Sequence, residues 1–128
     1  MAKLAFILPL AFLLHACSNK AKCAPGDEVL LLFSLHNSEG NRIDNSIQPN
    51  GQMPLRTLAG KGYLIKGIDE TLIGMKEGET KTTQILPENA YGNKGIYYLD
   101  SHGKKVYLIK PNDTLTAKIE LMKINKQD

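Results

Sequence analysis

Tryptophan is absent from these 128 residues, aromatic side chains make up 6%, and there are only two cysteines and three histidines. No charge dominates either: 16 Lys+Arg stand against 13 Asp+Glu, a formal excess of +3. Each shortage removes a class of function. So small a charge excess, with its basic residues scattered along the chain, excludes a basic nucleic-acid-binding surface. Beyond residues 1–16 only His36 and His102 remain, and neither has a second His, Cys or carboxylate at metal-ligand spacing, so no metal is expected. No acid–base pair stands out. The one long apolar run, residues 4–14, is too short to cross a bilayer as a helix.

What remains is an ordinary globular composition, 42% hydrophobic and 23% charged, long enough for one domain and a leader. The leader reads residues 1–16: a positive start at Lys3, the apolar run, then Leu14, His15 and Ala16 before Cys17. That suits a signal peptide. Its end resembles the lipobox of bacterial lipoproteins, in which the cysteine after the cleavage point carries a diacylglycerol, making Cys17 the lipidation site. An ordinary secretory signal cut near Ala16 or Ala24 is the other reading. Residues 17–26 read as a polar tether. Cys23 lies in it, so neither cysteine is expected in the folded part or in catalysis. The domain is expected over residues 27–125, with residues 126–128 as a tail.

Within the domain, residues 63–79 hold the one convincing helix. Leu64, Ile65, Ile68, Leu72, Ile73 and Met75 fall mostly at helical spacings, with Lys66, Asp69, Glu70 and Lys76 assigned to the other face. Gly60 and Gly62 precede it and Gly78 follows. Around it lie strands. Residues 28–36 carry Val29, Leu31, Phe33 and Leu35 on one side, and residues 114–124 alternate through Leu115, Ala117, Ile119 and Leu121. Shorter strands are expected at residues 41–45, 54–58 and 79–86, with a loop at 46–52. Two aromatic and β-branched runs, residues 96–100 and 105–109, flank a glycine turn and read as a hairpin. A single helix among strands buries its stripe on a sheet.

The helix stretch, from Leu64 through Gly67, Leu72, Gly74 and Met75 to Gly78-Glu79, resembles the signature V-I-x-G-W-x-x-G-L-x-G-M-x-x-G-E of the FKBP-type peptidyl-prolyl cis–trans isomerases. Leu86-Pro87-Glu88-Asn89-Ala90-Tyr91-Gly92 is similar to that family's I-P-x-x-L-A-Y-G segment. Lys110-Pro111-Asn112-Asp113-Thr114-Leu115, followed by Ile119-Glu120-Leu121, is similar to its I-P-P-N-A-T-L … V-E-L ending. The resemblance implies an α+β fold, a twisted antiparallel sheet wrapped around one short helix. The hairpin would be an addition in the loop over the pocket.

It also implies the site. Tyr91 matches the pocket tyrosine, Asp44 the pocket aspartate, and Ile65 the residue whose backbone N–H faces the ligand. Phe33, Ile43, Leu55, Leu64, Ile68, Leu108 and Ile109 match positions of the substrate pocket. Several of these depart from the family's aromatics: Phe33 stands for a tyrosine, Ile43 and Leu55 for phenylalanines, Ile68 for the tryptophan of the floor, and Ala117 for another phenylalanine. The pocket should grip proline more weakly, by about one to a few kcal/mol, or about ten- to hundred-fold in rate. The hairpin tyrosines Tyr97, Tyr98 and Tyr107 are candidates to replace that surface. No cofactor is implied. The partners implied are proline-containing unfolded or exported polypeptides, with the membrane reached through the lipid anchor and no nucleic acid. Two functions fit: a lipid-anchored isomerase in the bacterial envelope, periplasmic or on the outer membrane, or a binding or chaperone module of the same fold.

Overall fold

The computed structural model describes residues 20–43, 47–48 and 51–127. The expected signal peptide and Cys17 lie outside them, as do Asp44 and Asp128. Strand β1 (Glu28–His36) is followed by two-residue strands β2 (Ile47–Gln48) and β3 (Gly51–Gln52), which pair with each other inside the expected 46–52 loop. Strand β4 (Leu55–Leu58), helix α1 (Lys66–Leu72) and β5 (Thr80–Ile85) come next. A 3₁₀ turn (Pro87–Asn89), β6 (Ile96–Leu99), β7 (Lys105–Ile109) and β8 (Leu115–Asn125) complete the chain.

The main sheet runs β4-β1-β8-β5, every neighbour antiparallel. Register sets its inner face. Leu31 lies opposite Leu55 and Leu121, Phe33 opposite Ile119, and Leu35 opposite Ala117. Side chains opposite one another in a ladder point the same way, so these residues form one apolar layer. Ile85 and Leu115 extend it across β5 and β8. The layer, with Ile68 and Leu72 from the helix and Met75 just beyond it, is the core.

Helix α1 is shorter than the periodicity of residues 63–79 suggests. Ile65 is extended (φ −55°, ψ 144°), and Gly74 adopts a φ of +87°, which ends the helix in the way left-handed glycines do. Gly67 touches the sheet: a Cβ there would lie 2.3 Å from Ile85 Cγ2. The assignment of Asp69 to the outer face is corrected. Lys66 and Glu70 do face solvent, 3.7 Å apart, but Asp69 is 6% exposed. Its two oxygens accept the N–H groups of Gly60 and Gly62, both at 2.8 Å.

The expected tether is also corrected over residues 22–26. Cys23 is 2% exposed and belongs to the core. Its N–H donates to the Met75 carbonyl and its own carbonyl accepts from Gly74, each at 2.8 Å. Composition missed this because one small apolar residue among polar ones makes no period, while backbone pairing needs none. Burial pushes the Cys23 thiol up from its ordinary pKa, with the nearby Asp27 carboxylate adding to the effect. The expected tail is likewise fastened at its start. Lys126 Nζ lies 2.6 Å from Asp27 Oδ2, and the Gln127 N–H reaches Asp27 Oδ1 at 3.4 Å. The Lys126 hydrogen bond holds the Asp27 carboxyl below the usual aspartate range, helped by the Ala24 N–H.

Candidate functional site

Tyr91 follows the 3₁₀ turn. That turn closes when the Ala90 N–H reaches the Pro87 carbonyl at 3.0 Å and the Gly92 N–H reaches the same oxygen at 2.8 Å. The ring packs partly buried against the core. Burial alone pushes the phenol above its ordinary pKa, so at neutral pH it is a protonated hydrogen-bond donor. Among the described residues nothing accepts from its hydroxyl.

Ile65 precedes the helix, and its side chain packs against the same core. Its carbonyl is used inside, accepting from Ile68 at 3.0 Å and Asp69 at 3.1 Å. Its N–H has no acceptor among the described residues, as expected for a group ahead of a helix start. Asp69 positions this segment: by holding Gly60 and Gly62, whose φ values are +71° and +80°, it fixes the turn that delivers Leu64 and Ile65. Sequence reasoning passed over Asp69. The signal was present, since Ile65, Ile68, Asp69 and Leu72 share one helical face.

The other expected pocket residues divide. Phe33, Ile43, Leu55 and Leu64 are partly buried against the core that Tyr91 and Ile65 also cover. Ile43 is seated by its N–H on the Leu35 carbonyl at 2.9 Å. Ile68 is enclosed in the core. Ala117 is also buried, between Leu35 and Thr83 in the ladder. Asp44 lies outside the described residues. Leu108 and Ile109, expected as a pair, are separated: Ile109 is 3% exposed and Leu108 is 47% exposed. Leu108 is the extra residue where the ladder shifts register, between the Ile96–Ile109 and Tyr97–Tyr107 pairs.

The hairpin is present as expected, β6 pairing with β7 around the turn at residues 100–104. Asp100 Oδ1 accepts the N–H groups of His102 and Lys104 at 2.8 and 2.9 Å, and Gly103 takes a φ of +75°. Its base is fixed by buried Ile109, by the Gly95 N–H on the Tyr91 carbonyl at 3.2 Å, and by an Asn112 N–H on the Gly92 carbonyl at 2.8 Å. Tyr97 and Tyr107 lie opposite each other, ring centroids 5.6 Å apart and edge to face, while Tyr98 pairs with Val106 on the other face. The three tyrosines therefore cannot all cover one pocket.

Further along α1, a cleft of about 600 Å³ lies between Pro25, Gly60, Gly62, Leu64 and Ile73, with Lys66 and Glu70 at its side. Tyr91, Phe33 and Leu55 do not line it. Among the described residues no group of three or more His, Cys, Asp or Glu is arranged to hold a metal ion.

Comparison with known proteins agrees with this fold. The sequence model of the family described as FKBP-type peptidyl-prolyl cis-trans isomerase matches residues 19–122. "FK506-binding protein 1" of Aspergillus oryzae is 39% identical over 87 residues, covering 68% of this chain and 66% of that protein. "FK506-binding protein 1A" of Emericella nidulans is 34% identical over 101 residues, 79% of this chain and 83% of its own. A bacterial protein, "Probable FKBP-type 16 kDa peptidyl-prolyl cis-trans isomerase" of Pseudomonas fluorescens, is 38% identical over 65 residues, and the match spans 41% of its length. Among solved structures, the three FKBP domains of wheat FKBP73 superpose with a TM-score of 0.66 at 23% identity, covering 84% of this chain and 42% of that one. At that identity the superposition establishes the fold.

Proposed function

Because this chain belongs to the FKBP-type peptidyl-prolyl cis–trans isomerase family, we propose that it catalyses rotation about X–Pro bonds in exported polypeptides, held at the bacterial envelope by a lipid on Cys17. The reaction needs little chemistry. Amide resonance sets a barrier of about 20 kcal/mol. In the twisted state that resonance is lost, the carbonyl is less polar and the nitrogen more pyramidal. An apolar wall that takes the proline ring and removes water therefore favours the twisted state over the planar one. Donors on either side hold the chain while the bond turns.

The observation that carries the reading is that two donors without an acceptor among the described residues, the neutral Tyr91 phenol and the Ile65 N–H, belong to residues packed on the same core as Phe33, Ile43 and Leu55. In this reading Tyr91 and Ile65 grip substrate carbonyls, and Phe33, Ile43, Leu55, Leu64 and Ile68 form the wall and floor. Asp44 would be the pocket aspartate that the family motif carries. Ile109 acts from below, holding the hairpin, and Leu108 meets substrate only from the hairpin's outer side. The envelope assignment rests on residues 1–17, whose apolar run and cysteine have the form of a lipoprotein leader.

A second reading, a binding module, is favoured by the large apolar side chains that the hairpin exposes on its two faces, Tyr97, Tyr98, Leu99, Tyr107 and Leu108, together with aliphatic residues where the family has aromatics. Refolding separates the two. Added in substoichiometric amount to a denatured protein whose slow phase is proline isomerisation, the full chain is expected to speed that phase. Suppressed aggregation at equimolar amounts, with the slow phase unchanged, would support the binding module instead.

A further inference from the structure

The chain's formal +3 sits in one place. Residues 93–110, the hairpin and its flanks, contain Lys94, Lys104, Lys105 and Lys110 against Asp100 alone, so the remaining residues balance. Asp100 is spent on its own turn, accepting from His102 and Lys104. Lys110 is paired with Glu39. Among the described residues the ammonium groups of Lys94, Lys104 and Lys105 have no carboxylate partner, and Lys105 Nζ stands 4.4 Å over the Tyr97 ring. These cations rise from the same backbone that carries Tyr91, since the Gly95 N–H is bound to the Tyr91 carbonyl.

We infer that the hairpin makes this site selective for proline segments with acidic residues a few positions away from the proline. The inference deepens the isomerase reading and rests on it. From the Ile96–Ile109 pair at the base to the Leu99–Lys105 pair is three rises along β6, about 10 Å, which an extended substrate covers in about three residues. Carboxylates about three to five residues from the proline then meet Lys104 and Lys105, and intervening apolar side chains lie along Tyr97 and Tyr107. A lipid surface fits less well. The tip it would meet first is polar, Asp100, Ser101, His102 and Lys104, whereas the rings lie along the ribbon between tip and domain.

Exposed ion pairs are individually weak and are screened by salt. The expected preference is therefore moderate and electrostatic. The test uses the full chain and two proline peptides that differ only in carrying Glu or Lys at three consecutive positions, placed on each side of the proline in turn. At low ionic strength kcat/KM is expected to favour the Glu peptide by about three- to tenfold, mostly through KM, and to equalise near about 0.5 M salt. The double variant Lys104→Glu/Lys105→Glu is expected to reverse the preference while turning over an uncharged peptide at the parent rate. Equal kcat/KM for the two peptides would overturn the inference and leave the isomerase reading standing. Turnover of neither would remove the isomerase reading, and equal anisotropy titrations of the two labelled peptides would then overturn the inference as well. Binding of phosphatidylglycerol vesicles lost in the double variant, with no peptide preference, would overturn it in favour of a membrane surface.

Discussion

Replacing Asp69 with Ala is expected to lower folding stability by about 3–6 kcal/mol, from two charge-assisted hydrogen bonds at about 1.5–3 kcal/mol each. The carboxylate is buried, and both oxygens take backbone donors at 2.8 Å, from Gly60 and Gly62. Its removal leaves two N–H groups beside the core without acceptors, in a turn held at positive φ. For a small domain with a total of about 5–15 kcal/mol, that loss is a large fraction. Asp69→Asn keeps one acceptor and turns an amide N–H₂ towards a donor, so it should fall between parent and alanine. Denaturant unfolding of the three proteins checks this order. The effect should extend to function. The same turn delivers Leu64 and Ile65, so the Asn variant, while still folded, should lose turnover out of proportion to its stability. An Asp69→Ala protein as stable as the parent would mean that the two hydrogen bonds carry nothing.

Gly67→Ala should destabilise, although alanine is the better helix former by about 1 kcal/mol. The added Cβ would stand 2.3 Å from Ile85 Cγ2 and 2.9 Å from Cγ1. Ile85 is itself enclosed between sheet and helix and has no room to retreat. Overpacking of this kind costs about 1–3 kcal/mol and outweighs the helix gain. The cause can be isolated. Ile85→Ala removes the atoms in conflict at the cost of a cavity, and the double variant should be more stable than the sum of the single losses by about 1–2 kcal/mol. Additive losses in the double-mutant cycle would show that helix and sheet are not in contact at this point.

Much of the architecture was legible in the residues. The alternation in residues 28–36 and 114–124 specified β1 and β8, and Gly103 between aromatic runs specified the hairpin. Periods report side chains, however, and what was missed is fastened by backbone. Cys23 joins the fold by exchanging hydrogen bonds with Gly74 and Met75, and Lys126 by a contact 99 residues away in sequence. Asp69 was misplaced because a charge on a helix is assigned to water unless its partner is visible, and Gly60 and Gly62 offer only N–H groups. Helix length was overestimated because Ile73 and Met75 keep the apolar spacing although the chain is already extended at Ile73 and turned at Gly74. At the site, Tyr91 and Ile65 pack on one core, while Leu108 and Ile109 differ in burial because they lie in a two-stranded ribbon whose ladder shifts register beside them. No period in the sequence separates those two cases.

The measurement that bears most directly on the isomerase claim follows cis-to-trans conversion of short X–Pro peptides with the full chain, varying X, beside Tyr91→Phe. The account predicts acceleration over the uncatalysed rate. It further predicts a fall of about tenfold in kcat/KM for Tyr91→Phe, the loss of one hydrogen bond of about 1–1.5 kcal/mol, with stability little changed. Conversion at the uncatalysed rate for every X would contradict it, and would leave the fold with its hairpin as a binding module.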